Sequence, residues 1–174
     1  MLELDVVLAE EYDEKTGKFV LTKQRIQLEH SLASLSKWES VFEKPFMGVE
    51  KKTPDETFAY IEMMVQGEKP SPEVLLGLVR SHHEEIQSYI DRKMTGTKIS
   101  EIQKTQGRRG IITSEVIYSW MVEMNIPFET QHWHFNRLIM LIRVISVNRA
   151  PKKTMTAAER QSLMQKRRRE HSKR

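Results

Sequence analysis

The chain has 174 residues, no cysteine and a formal net charge of +4, and these values exclude several classes of protein. Without cysteine there is no disulfide framework, no thiolate nucleophile and no thiolate zinc site, so a reducing compartment such as the cytoplasm is expected. Neither a signal-peptide pattern nor an apolar run of the roughly 18 residues that a membrane span needs occurs, which predicts a soluble protein without a membrane partner.

The positive charge is concentrated in the last 25 residues. Residues 150–174 contain nine Lys and Arg against two Glu, a charge of +7, and the rest of the chain therefore sums to −3. A mildly acidic body argues against a domain built around nucleic-acid phosphates. We predict one domain over residues 1–149 and a basic, disordered tail over residues 150–174. The tail could keep the protein in solution, dock to an acidic protein or bind nucleic acid.

The first predicted element is a β-hairpin over residues 1–23. Leu2, Leu4 and Val6 alternate with polar residues, which is the period of a strand with one buried face. A turn-forming stretch over residues 13–17 then leads to a returning strand at residues 19–21. Residues 24–43 are ambiguous, because they fit both a strand and a helix period. We predict a helix from Ser31 to Phe42 there.

Residues 53–56 and 71–73 combine an N-cap residue, a proline and an acid, and each stretch predicts the start of a short helix. Ser81 is predicted to cap a third helix that continues to Ile90. The first two helices are expected to bury two apolar sets: Phe58, Ile61 and Val65 with Tyr60 and Met64 beside them, and Val74, Leu75, Leu78 and Val79.

The second half of the chain begins with a predicted mobile connector over residues 94–112, which contains three glycines and few large apolar side chains. A helix is predicted to start at Thr113 and to stop before Pro127. Residues 130–148 are the most apolar segment and predict a central core helix, with Arg137 and Arg143 at its edge or paired with an acid. The predicted fold class is mainly α within α+β: a helical domain with an N-terminal β-hairpin.

No enzyme signature appears in the sequence, and the protein is predicted to have no catalytic residue, no metal site and no cofactor. The two histidine clusters are His82-His83 and His132-Trp133-His134. Side chains one or two positions apart on a helix diverge by about 100° or 200°, so one metal ion could not easily be held by either pair. We interpret these histidines as solvated or as lying at the edge of the core.

Ten methionines are the other compositional bias, and they either fill the core or form a surface that adapts to varied apolar partners. We predict a partner-binding surface on the helix with the two adjacent methionines, on the connector and on the tail. Its candidate residues are Met63, Met64, Arg108, Arg109, Lys166, Arg167, Arg168 and Arg169.

Several blocks of the sequence resemble one known family: residues 29–40 with Lys44-Pro45-Phe46, residues 111–121 with Ile126-Pro127-Phe128, and residues 133–138. The chain is similar over roughly residues 25–155 to the tail assembly chaperones of tailed bacteriophages. The resemblance implies a small non-virion protein in the host cytoplasm that coats the tape measure protein and helps tail-tube subunits to polymerise. It implies no catalytic residues.

Two other interpretations of the sequence stay open. One is a structural virion protein of the capsid or tail, which would need a stable oligomer with a large apolar interface. The other is a nucleic-acid-binding protein that acts through residues 150–174 and loses affinity as salt is added. Self-association into a homo-oligomer is compatible with each of them.

Overall fold

The computed structural model describes residues 1–97 and 111–149, together with positions 161 and 164. The basic tail, apart from those two positions, and the middle of the predicted connector lie outside the described residues. The described part confirms the mainly helical α+β class, with one antiparallel hairpin followed by helices. Its elements are β1 (Leu2–Asp13), β2 (Lys18–Leu28), α1 (Leu32–Phe42), α2 (Pro54–Met64), α3 (Pro72–Leu76), α4 (Arg80–Ile90), α5 (Ser114–Glu123), a 3₁₀ helix (Phe128–His132) and α6 (Phe135–Arg149).

The base of the hairpin forms one wall of the core. Side chains of β1 and β2 that alternate along the strands are buried against the helices, as the period of two predicts: Leu2, Leu4, Val6, Ile26 and Leu28. The second strand extends beyond the predicted boundary at residue 23. The ambiguous residues 24–43 follow both periods in turn, because they form a strand as far as Leu28 and a helix from Leu32.

Helix α1 begins next to its predicted start at Ser31, and α2 begins with its predicted cap, Thr53. The Ser31 hydroxyl accepts a hydrogen bond from the amide of Ser34, and Thr53 forms a reciprocal capping box with Glu56. The predicted buried stripe of α2 needs a correction, because Phe58 and Val65 are only half-buried. Val65 ends the helix in an extended conformation beside Leu28, and the buried face consists of Glu56, Tyr60, Ile61 and Met64.

The cap predicted at Ser81 is wrong. Helix α4 begins at Arg80 with Val79 as its N-cap residue, and the ring of His82 accepts a hydrogen bond from the Val79 amide at 3.2 Å. Val79 is exposed and Leu78 half-buried, so neither extends the buried set of α3 as predicted. Between α3 and α4 a Cβ atom on Gly77 would lie 3.0 Å from Val6 Cγ1, which shows how closely this connection approaches β1.

The segment predicted as one central helix contains a break. Trp133 is extended, His134 forms a bridge with Ser31, and the Phe135 amide donates to the His30 carbonyl at 2.7 Å. The prediction of a core helix apolar on all sides is also wrong, because α6 buries only Phe135, Leu138 and Ile142. Arg143 is exposed, as predicted for an edge position, and the Arg137 guanidinium lies 4.3 Å from the ring centre of Trp133.

Candidate functional site

A buried polar centre lies where the end of β2 meets α2, α4 and the start of α6. His30 Nδ1 and Tyr60 Oη share a hydrogen bond at 2.5 Å, and the Tyr89 hydroxyl donates to Glu29 Oε1 at 2.7 Å. The rings of His30 and His134 have their centres 5.3 Å apart. Four elements that are distant in sequence therefore converge on five polar side chains.

Hydrogen bonds and burial both favour neutral histidines in this centre. His134 Nε2 lies 3.1 Å from the Tyr89 carbonyl oxygen, which can only accept, and the Asn136 amide donates to His134 Nδ1 at 3.3 Å. Both contacts fit the neutral tautomer with the proton on Nε2. Burial, with a smaller effect of His134, lowers the pKa of His30 from 6.5 to about 4, and burial also lowers the pKa of His134. Both imidazoles are therefore neutral near pH 7.

The polar centre is closed to solvent. His30 and His134 are each 4% exposed, and burial places the pKa of Tyr60 well above its ordinary value. Within residues 1–97 and 111–149, no group of three or more His, Asp or Glu side chains is arranged to hold a metal ion. The prediction that His134 is solvated or at the core edge is wrong, because its side chain is buried. The pairing of His134 with His30 was also missed, since no local spacing connects positions so far apart.

Two more buried carboxylates have structural partners. Glu39 Oε1 accepts a hydrogen bond from the Phe46 amide and Glu39 Oε2 one from the Ser114 amide, both at 2.7 Å. Glu56 completes its capping box and binds Lys44 Nζ at 2.8 Å, an ion pair that lowers the pKa of the Glu56 carboxyl. In the described part of the chain, every buried side-chain nitrogen or oxygen has a hydrogen-bond partner.

The exposed apolar surface is concentrated on the far half of the hairpin, residues 7–23, which we call the distal hairpin. An extra residue at Leu8 forms an irregularity between Val7 and Ala9, so that Tyr12 lies opposite Phe19 with ring centres 5.2 Å apart. Alternation along β2 places Phe19 on the face that points away from the core. Four exposed side chains on that face form what we call the apolar stripe: Val7, Tyr12, Phe19 and Leu21, which are 42, 57, 64 and 43% exposed.

A second apolar feature is a cleft of about 520 Å³ beside Trp38. The loop after α1 forms one side of it, and Lys52 Nζ lies 3.9 Å from the ring centre of Phe46. Partial burial lowers the pKa of Lys52. Ile111 and Ile112 also line the cleft.

The structure describes only two of the eight predicted partner-binding residues, Met63 and Met64. Met64 has no exposed surface and packs in the core, so it cannot contact a partner in this conformation, and that prediction is corrected. Met63 is half-buried against the same core. Arg108 and Arg109 lie outside the described residues, and so do the four basic residues at 166–169. The distal hairpin was predicted as a hairpin, but its exposed apolar face was not.

No family model, no curated protein and no solved structure matches this chain. Among the described residues, no helix is both long enough and apolar enough to cross a membrane. The interpretation of function therefore depends on the surfaces described above.

Proposed function

We propose that this chain is a non-catalytic tail assembly chaperone of a tailed bacteriophage, which binds the tape measure protein in the host cytoplasm while tail-tube subunits assemble. The observation that carries the proposal is the apolar stripe, because exposed large apolar side chains grouped on one face are typical of interaction surfaces. Tyr12 and Phe19 are both more than half exposed. A client with repeated amphipathic helices would offer many matching apolar faces.

The contacts of such a chaperone need to be weak and repeated, because the client must later be released to the tail tube. Four side chains on a narrow hairpin supply a small contact, well below the area of a stable interface. Many copies along one long client would give avidity without tight individual sites. This arrangement supports a transient coat more than a permanent virion component.

The test is co-expression of the tagged chain with the tape measure protein and affinity purification at low and high salt. We expect retention of the client, and loss of it when Tyr12→Thr and Phe19→Thr are combined. Val49→Thr is the matched control, since Val49 is a fully exposed apolar residue in a loop outside the stripe.

Three outcomes would contradict the proposal. They are a double variant that retains the client as well as the unchanged chain does, a stoichiometric amount of the chain in finished particles, and salt-sensitive binding of nucleic acid without a protein partner. The second would favour a structural virion protein. The third would favour the basic tail as the functional segment.

A further inference from the structure

The two strands of the hairpin carry opposite charges. β1 contains five acidic residues and no basic one: Glu3, Asp5, Glu10, Glu11 and Asp13. β2 contains three basic residues and no acidic one: Lys18, Lys23 and Arg25. Within the hairpin the charges pair across the strands, as Arg25 Nε does with Asp5 Oδ1 at 2.8 Å. One long edge of the hairpin is therefore acidic and the other basic.

Both edges are open along the distal hairpin. At its base β2 has a second partner besides β1, because the Gln66 amide donates to the Gln27 carbonyl and the Glu29 amide donates to the Met64 carbonyl, both at 2.8 Å. This pairing stops near Leu28. Toward the tip, among the residues that the structure describes, the sheet has only two strands, and each outer edge offers backbone donors and acceptors.

We infer that the chain associates with further copies of itself, head to tail, by pairing the β1 edge of one distal hairpin with the β2 edge of the next. Like charges directly opposite each other are destabilising, so β1 with β1 and β2 with β2 are disfavoured. The acidic edge with the basic edge is favoured. Two hairpins side by side in the same orientation also bring β1 and β2 together antiparallel, which repeats the pairing inside each hairpin.

The irregularity at Leu8 limits the contact to the tip. Beyond it, Ala9–Asp13 is available on one edge and Lys18–Lys23 on the other. The contact thus brings three acidic residues, Glu10, Glu11 and Asp13, together with Lys18 and Lys23. About five residues on each side make a weak interface, so association depends on concentration and is weakened by salt. A head-to-tail contact closes into a ring or continues as a helical array, and either one joins the apolar stripes of neighbouring copies into a continuous surface.

The test uses the full chain alone, so its result is independent of whether a tape measure protein is bound. Sedimentation at rising protein concentration is expected to show a mass that increases for the unchanged chain and falls back when salt is added. Two variants reverse one edge each: Glu10→Lys with Glu11→Lys, and Lys18→Glu with Lys23→Glu. Each alone is expected to remain a monomer, and an equimolar mixture of the two is expected to associate again.

A third variant combines all four substitutions with Asp13→Lys, because Asp13 lies opposite Lys18 within the hairpin. The pairing inside the hairpin then stays complementary, so this variant remains informative if the single-edge variants do not fold. It is expected to associate with itself, because its acidic and basic edges have only exchanged places. A monomer of the unchanged chain at every concentration would overturn the inference, and so would self-association of either single-edge variant to the same extent as the unchanged chain. Loss of association in Tyr12→Thr with Phe19→Thr, while both single-edge variants still associate, would overturn it in favour of packing between apolar faces.

Discussion

The carboxylate of Glu39 in α1 accepts a hydrogen bond at 2.7 Å from the amide of Ser114, 75 residues further along the chain. Ser114 is the first residue of α5, whose cap residue Thr113 makes no side-chain hydrogen bond to the helix. The first amides of a helix have no partner inside it, and the helix dipole favours a negative charge at that end. Glu39 therefore replaces the missing cap from another helix.

Glu39→Gln is expected to lower the free energy of unfolding by about 2 kcal/mol. A hydrogen bond to a charged group contributes roughly 1.5–3 kcal/mol, and an amide offers only one oxygen to the two backbone donors that Glu39 binds. Urea unfolding near neutral pH measures the change. Glu85→Gln, at an exposed position of α4, is the control and is expected to stay within about 0.5 kcal/mol. Equal losses in the two variants would contradict a specific role of Glu39.

The buried His30 predicts a loss of stability in mild acid. Its pKa is about 4 in the folded chain and near 6.5 in the unfolded chain, so the unfolded chain takes up the proton first as the pH falls. The stabilising contribution of neutral His30 is therefore complete above about pH 6.5 and is lost between about pH 6.5 and pH 4. At roughly 1.4 kcal/mol per pKa unit, its size is about 3 kcal/mol. His134, with a lowered pKa, acts in the same direction.

Urea unfolding at a series of pH values across that window measures the effect. His30→Gln is expected to be less stable at neutral pH, because Tyr60 loses its partner, and its stability is expected to depend less steeply on pH. His132→Gln, at an exposed position, is the control and should keep the slope of the unchanged chain. If His30→Gln kept that slope as well, other groups would cause the acid sensitivity.

Local sequence patterns predicted the hairpin, α1 and α2 because their causes are local. Alternation of Leu2, Leu4 and Val6 is visible within a few residues, and so is the combination of Thr53 with Pro54. The failed predictions have causes elsewhere in the chain. The broken helix before Phe135 follows from a bond to the His30 carbonyl, and no periodicity in residues 130–148 contains that information.

The candidate surface could be predicted only in part. The sequence indicates a hairpin and gives strands of opposite charge, but the exposure of Tyr12 depends on how far the helices extend over the hairpin. The helices cover its base, where Val6 is fully buried, and leave Phe19 64% exposed. Met64 was predicted to be exposed to a partner but is buried. Two adjacent methionines give no local sign of which one faces the core.

The two proline-containing helix starts are expected to differ in stability. Thr53 accepts a hydrogen bond from the Glu56 amide, whereas Ser71 makes no side-chain bond to α3. Thr53→Ala should therefore lower the free energy of unfolding by about 1 kcal/mol. Ser71→Ala is the matched control and should change it by only about 0.5 kcal/mol or less. Thermal and urea unfolding measure both. A larger loss in Ser71→Ala would contradict the capping difference.

The adjacent methionines of α2 provide a last test, which separates packing from binding. Met64 is the last residue of α2 and is fully buried in the core. Met64→Ala is expected to lower the free energy of unfolding by about 3 kcal/mol, because contacts are lost and a cavity is left behind. Met63→Ala, at a half-buried position on the same helix, should cost about 1 kcal/mol or less. Urea unfolding measures stability, and retention of the tape measure protein measures binding. A Met64 variant that kept its stability but lost the client would return Met64 to the contact surface and contradict its burial in the core.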